Sequence, residues 1–285
     1  MINLKTMLTP RLILSSIITL TVFFIFACSG PMCGSHVSTF FNPSAKDAVV
    51  LKFDNIIDVN WTQDISKELK KPNVALVILF IDSPGGNVTD AELLYHNLKI
   101  LRQTYNKPIY VYTEQLLASG AYWMACATDS IFISPVSKTG SIGVYFIRTD
   151  LTVQDSMVGN NMFFFYAGKH KLWNNMHTEM DSAEFNNHLT MVNTIYIEFI
   201  DIVYNSRFVS FVNRLKEYNL PSDSTTVKTL VTKIATGESY EASNAKDLGL
   251  VDDIYYFDQF CKMLRDRGYH VIRPNGSEID LFYEE

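Results

Sequence analysis

The chain has 285 residues, 47% hydrophobic and 19% charged, with a formal net charge of −6 and a pI near 5.5. One substantial core is affordable at that length. The acidic balance, with no Lys/Arg cluster, excludes a phosphate-backbone partner, so no nucleic acid is expected. The cysteines (Cys28, Cys33, Cys126, Cys261) form no C-x-x-C pair and have no histidine at ligand spacing. Neither a metal nor an organic cofactor is implied. Cys126, in the apolar run from Trp123 to Ala127, reads as a buried structural thiol.

Lys5 and Arg11 precede an uncharged run from Leu12 to Cys28, close to the lower limit of the ~17–25 residues that cross a bilayer. Positive charge before the run and none just after it predict a cytoplasmic N-terminus and an exported body. Three readings compete: an uncleaved signal anchor, a signal peptide cut among the small residues Ala27 and Ser29, or a lipoprotein-type signal cut before Cys28. The last makes Cys28 a candidate for lipidation. Residues 1–28 are thus read as a signal or anchor segment and residues 29–45, rich in Gly, Pro, Ser and Asn, as a linker. Residues 46–285 form one folded domain, with the expected location membrane-associated and the domain on the exported side.

Strand and helix patterns then alternate. Ala48 to Phe53 is a short apolar strand, and Val74 to Ile81 is a continuous apolar run of buried parallel-strand type. Thr89 or Asp90 can cap a helix carrying Leu94, Leu98, Leu101 and Tyr105 on one face, stopped by Pro108. A strand from Ile109 to Tyr112, a helix opened by Ser119 through Ala127, and a strand from Ser130 to Ser134 follow. A long amphipathic helix is expected over Ser182 to Phe208, with Phe185, Leu189, Val192, Ile195, Phe199 and Ile202 inward. Shorter helices near Val227 to Ala235 and Ala242 to Leu248 close at Gly237 and Gly249. Repeated βα units predict an α/β fold with a mainly parallel sheet.

The chemistry-bearing residues begin at Ser83-Pro84-Gly85-Gly86, where a buried strand ends. Two glycines there let backbone N–H groups approach a ligand, as an oxyanion hole requires, although Pro-Gly is also ordinary turn chemistry. Ser119, in Ala118-Ser119-Gly120-Ala121-Tyr122, stands at a helix start, where serine is commonly a cap. It also follows a buried strand, has small neighbours and faces the favourable end of a helix dipole for negative charge. No histidine lies between Ser119 and His170, and the histidine candidates after that are His170, His177 and His188. Lys171 is an alternative base if burial lowers its pKa, and the Met162-to-Tyr166 run before it and Leu172-Trp173 after it are apolar.

Taken in order, Ile81-Asp82-Ser83-Pro84-Gly85-Gly86, Ala118-Ser119-Gly120-Ala121-Tyr122, Gly140-Ser141-Ile142-Gly143-Val144, Gly168-Lys169-His170-Lys171, and Gly237-Glu238-Ser239-Tyr240 through Asp252 resemble the signal peptide peptidase A family. These are membrane-bound Ser/Lys serine proteases on a crotonase/Clp-protease-like fold. The resemblance covers about Val49 to Ile254. It implies Ser119 as nucleophile, Lys171 as base, Ser141 orienting the lysine, and the Gly86 and Gly120 amides as oxyanion hole. It also implies peptide substrates at the membrane, such as signal-peptide remnants, and a homo-oligomeric ring or dome. Leu172, where many relatives carry a small or acidic residue, is a departure that bears on the substrate cleft. A Clp-type Ser-His-Asp peptidase lacks its histidine in this chain. A crotonase-type acyl-CoA enzyme would not need the Ser119/Lys171 pair, and an inactive membrane scaffold of the same fold would not need its site intact.

Overall fold

A computed structural model describes residues 46–279. The segment 1–28 with Cys28, the linker 29–45 and the acidic Tyr283-Glu284-Glu285 end lie outside the described residues. The chain runs β1 (Asp47–Asp54), α1 (Trp61–Leu69), β2 (Val74–Asp82), α2 (Val88–Tyr105), β3 (Ile109–Thr113), β4 (Leu116–Ala118), α3 (Gly120–Ala125) and β5 (Ser130–Ile133). It continues through β6 (Lys138–Gly140), α4 (Thr152–Met157), α5 (Ser182–Glu217), α6 (Ser224–Ile234), β7 (Ser239–Glu241), α7 (Ala242–Leu248), β8 (Asp253–Ile254), α8 (Phe257–Asp266) and β9 (His270–Ile272).

Six strands form one sheet in the order β8-β5-β3-β2-β1-β9, every neighbouring pair parallel. Both faces are covered, which is why β2 reads as an unbroken apolar run rather than an alternation. Val77, Leu79 and Ile81 point to the larger core with α1, α2, α3 and α5. Leu76, Ile78 and Phe80 point the other way, onto Phe260, Cys261 and Leu264 of α8. The expected parallel α/β architecture is therefore present. A second sheet, β4-β6-β7, stands beside the first, with β4 and β6 parallel and β7 antiparallel to β6.

Local chemistry sets the ends of α2. Asn87 caps it by accepting the Asp90 N–H at 2.8 Å, rather than Thr89 or Asp90 doing so, because the Pro-Gly-Gly turn delivers an extended residue at 87. Asn106 ends it in the left-handed region at φ 49°, ahead of Pro108. Gly249, at φ 87°, closes α7 as its position predicts.

The long helix α5 starts where expected but runs on to Glu217. Its buried face is Phe199, Val203, Arg207, Phe211 and Leu215, with Ile200 beside it. Phe185 and Leu189, expected inward, are 53% and 48% exposed, whereas from Ile195 on the helix packs against the core. Arg207 is buried because its guanidinium forms a fork onto Asp252, at 3.0 and 2.9 Å, while Nε donates to the Gly249 carbonyl. Asp252 also accepts the Ile131 N–H at 2.7 Å, so this pair ties α5 to β5 and the C-terminal motif. Cys126 and Cys261 are buried free thiols, each pushed up to about 12 by burial, as the apolar setting of Cys126 predicts. No helix among the described residues is long and apolar enough to cross a membrane.

Candidate active site

The site is assembled where β2 ends against β4. Asp82, the last residue of β2, turns one carboxylate oxygen toward the β3–β4 turn. There it accepts the Thr113 hydroxyl at 2.7 Å and the N–H groups of Glu114, Gln115 and Leu116 at 3.1, 2.7 and 3.3 Å. Ser83 continues the stitch: its N–H donates to Leu116 O at 2.7 Å and its carbonyl accepts the Ala118 N–H at 3.1 Å. Its buried hydroxyl accepts the Gly85 N–H at 3.1 Å. The turn carrying the glycines is thereby fixed to the strand that leads into Ser119.

Glycine is required by proximity. Gly85 has φ +106°, and a Cβ there would lie 2.8 Å from Gly120 N and 2.9 Å from both Ala118 O and Ser119 Cβ. A Cβ at Gly120 would lie 2.9 Å from the Ile57 side chain and 3.4 Å from Gly86 N. The Gly86 and Gly120 amides are therefore close neighbours. Among the described residues neither N–H donates a hydrogen bond, as expected for Gly120 in the first turn of a helix. Two free donors side by side are what an oxyanion needs.

Ser119 sits between β4 and α3 with φ 52° and ψ −124°. A non-glycine residue there is strained by about 1–3 kcal/mol, and such strain gathers at functional sites. The main chain holds it, with Ser119 N–H donating to Gly140 O at 2.9 Å and Ser119 O accepting the Trp123 N–H at 2.9 Å. Its side chain makes no capping hydrogen bond to α3, and its backbone is not in the extended region a cap uses. The helix-cap reading of Ser119 therefore fails. A sharp strand-to-helix turn that presents a serine hydroxyl is the geometry of a nucleophile elbow.

Ser119, Gly86 and Gly120 line one cleft of about 670 Å³ with Val88, Trp123, Val144, Tyr145 and Phe199. Its walls are apolar and its floor is backbone, a setting for an extended peptide. Glu92 supports one wall by accepting the Trp123 indole N–H at 3.2 Å. Burial, then the nearby Glu198 charge, raises the Glu92 carboxyl above the ordinary range.

Ser141 follows the carbonyl that holds Ser119. It has φ 50°, its N–H donates to Glu238 O at 2.8 Å, and its hydroxyl donates to Gly237 O at 3.2 Å. The Gly140 and Gly237 motifs thus meet at the Ser119 backbone. Lys171 is placed differently. It is exposed, is not among the residues lining the cleft, and its N–H closes a turn onto Gly168 O at 3.0 Å. Gly168, at φ +101°, turns the segment, and Lys169 and Lys171 are both exposed. The rings before it are exposed as well, Phe163 by 82% and Phe165 by 96%. Within one chain the apolar run does not wrap the lysine.

Residues 102–218 match the sequence model of peptidase family S49. Over 199 residues the chain is 32% identical to a putative protease of Methanocaldococcus jannaschii, covering 69% of this chain and 56% of that one. The chain belongs to peptidase family S49. Other similarities include a putative signal peptide peptidase SppA of Enterococcus faecium, 28% identical over 72% of this chain and 55% of that protein. Protease 4 of Salmonella typhi is 28% identical over 66% of this chain and 27% of its own length. The chain thus spans about half or less of each of these relatives. Among solved structures, a mutant of the 1510-N membrane-bound stomatin-specific protease overlaps 83% of this chain and 92% of its own, with 13% identity and a TM-score of 0.45.

Trp123, Phe199 and Glu92 as cleft walls, and Asp82 as the anchor of the turn, did not stand out in the sequence. The one signal for Asp82 was a carboxylate closing an otherwise apolar strand.

Proposed function

We propose that this S49 protein is a membrane-associated serine endopeptidase of the signal peptide peptidase A type. It hydrolyses peptide bonds in signal-peptide remnants or other membrane-derived peptides. The observation that carries this reading is the strained, uncapped Ser119 beside the two unengaged amides of Gly86 and Gly120. The Ser119 Oγ attacks the substrate carbonyl carbon as its proton passes to Lys171 Nζ. The carbonyl oxygen, now an anion, accepts hydrogen bonds from Gly86 and Gly120, and each such donor is worth ~10²–10³ in kcat. The amine leaves with the proton from Lys171, and water then attacks the acyl-enzyme with the same base. Ser141, beside the Ser119 backbone, orients the lysine amine.

Because Lys171 is exposed in one chain, its partner serine belongs to an assembly. The segment carrying it exposes Tyr145 by 84%, Phe163 by 82% and Phe165 by 96%, and large exposed apolar side chains mark contact surfaces when they cluster. A second copy covering that face would supply the desolvation a neutral lysine needs, consistent with a homo-oligomeric ring or dome. The N-terminal apolar run, as anchor or through a lipid on Cys28, holds the assembly at the membrane with the protease domain exported.

Labelling by a fluorophosphonate probe tests the reading. Label should appear on Ser119, vanish in Ser119→Ala and be lost in Lys171→Ala with the fold intact. Peptidase activity retained by Lys171→Ala overturns the dyad. The base must be unprotonated, so a rate maximum near about pH 5 also counts against it. Sedimentation at a single-chain mass with full activity refutes the assembly.

A further inference from the structure

The loop that carries Lys171 inverts the usual arrangement: Phe163 and Phe165 are exposed while the two charges at its ends are buried. The Arg148 and Glu184 side chains are only 4% and 3% exposed. Arg148 stands at the start of the loop, and Glu184 in the first turn of α5, after its end. From Arg148, Nη2 donates to the carbonyl oxygens of Asn175 and Thr178, at 2.9 and 2.5 Å. Its Nε lies 3.4 Å from Glu184 Oε1 and its Nη1 3.4 Å from Asp150. These are charge contacts without hydrogen-bond geometry. The same Glu184 oxygen accepts the Asn174 N–H at 2.7 Å.

Three backbone groups within five positions are thus gripped by one buried ion pair. Upstream, the segment is a string of hydrogen-bonded turns: Asn175 N–H to Leu172 O, Trp173 N–H to His170 O, and Lys171 N–H to Gly168 O, at 3.1, 3.2 and 3.0 Å. Fixing 174–178 therefore fixes the stem on which Lys171 stands. Burying two charges costs several kcal/mol per ion before their attraction is counted. An apolar pair would stabilise the loop equally well without gripping its carbonyls.

We propose that Arg148 and Glu184 are positioning residues for Lys171, a clamp that sets where the amine-bearing side chain reaches Ser119. This rests on the reading of Lys171 as the base. Neither residue touches substrate, and their effect passes through the loop backbone. Misplacing a catalytic group by about 1 Å costs ~10² in rate, and that is the loss expected on releasing the clamp.

The experiment replaces the pair by apolar residues, Arg148→Met with Glu184→Leu, a change that buried ion pairs commonly tolerate. Circular dichroism and the urea midpoint report the fold, and the rates of peptide hydrolysis and of Ser119 labelling by a fluorophosphonate report the site. With the fold retained, kcat and labelling should fall about 10²-fold, while KM changes little. Wild-type rates in the folded variant overturn the proposal, and so does a loss carried by KM with kcat unchanged. Should the double variant not fold, Arg148→Lys takes its place. A lysine ammonium cannot stand at once where Nη2 meets the two carbonyls and where Nε faces Glu184, so unchanged kcat in that variant overturns the clamp. If Lys171→Ala alone keeps full activity, the assignment of the base has failed and the positioning role falls with it. Loss in Lys171→Ala but not in the clamp variants sinks the clamp alone.

Discussion

Gly85→Ala puts the architecture of the candidate oxyanion hole under direct strain. The new Cβ would fall 2.8 Å from Gly120 N and 2.9 Å from Ala118 O and Ser119 Cβ, main-chain atoms and a side-chain root that cannot swing aside. Backbone strain at φ +106° adds about 1–3 kcal/mol, and the forced shift about 1–3 kcal/mol more, a total loss of about 2–6 kcal/mol. Gly159→Ala is the matched control: its φ is +69°, with nothing within 4 Å of the added atom, so only about 1–2 kcal/mol of backbone cost applies. Urea unfolding of the two variants separates collision from conformation. In the folded fraction, Gly85→Ala should also lower kcat by ~10²–10³, because the atom it strikes is a proposed oxyanion donor. A Gly85→Ala protein as stable as Gly159→Ala, with wild-type kcat, refutes the close approach of the two turns and the donor pair built on it.

Ser119→Gly should abolish fluorophosphonate labelling yet raise the unfolding free energy by about 1 kcal/mol, since glycine relieves the strain at φ 52° and returns part of it as chain entropy. A destabilised Ser119→Gly protein contradicts the strain. Arg207→Met strips Asp252 of its guanidinium partner at a semi-buried position and should cost about 3 kcal/mol in urea unfolding; a loss within error means the pair does not tie α5 to the sheet. Glu92 has a raised folded pKa, so the folded state prefers its protonated form. The stability it contributes is present below the ordinary carboxylate pKa and is lost as pH rises through the folded value. Glu92→Gln keeps an acceptor for Trp123, so its stability relative to the wild type should climb as pH rises past the ordinary carboxylate pKa; a gap that is flat or closes with rising pH refutes the burial of that carboxyl.

What could be read ahead of the structure follows a physical line. β2, α2 and α7 announced themselves because burial on both sheet faces, an i, i+4 leucine stripe and a C-terminal glycine each leave a local trace. α1, α8 and the β4-β6-β7 sheet did not. Strands as short as Leu116–Ala118 carry no periodicity, and α8 buries only Phe260, Cys261 and Leu264 among polar neighbours. The face of α5 was misjudged in its first half because Phe185 and Leu189 keep helical spacing without having a core to meet. Arg207 was passed over because a charge in a helix reads as solvent-facing until its partner, far along the chain, is in view. At the site, the glycines and Ser119 were legible from their motifs. Asp82, Arg148 and Glu184 were not, since what distinguishes them is the backbone groups they hold.

The pairing of β1 with β9 has a bearing on how the molecule is made. Asp47, Ala48 and Val49 meet His270, Val271 and Ile272, partners farther apart in sequence than any others in the large sheet. During synthesis the outer edge of β1 therefore waits, with its N–H and C=O groups unpaired, until nearly the whole domain has emerged. A bare parallel edge invites other chains, and so distant a closure is slow. A ribosome stalled before residue 270, or a protease trimming the end, would leave the same sticky edge, so the few residues of β9 act as the seal that makes the finished chain safe to release.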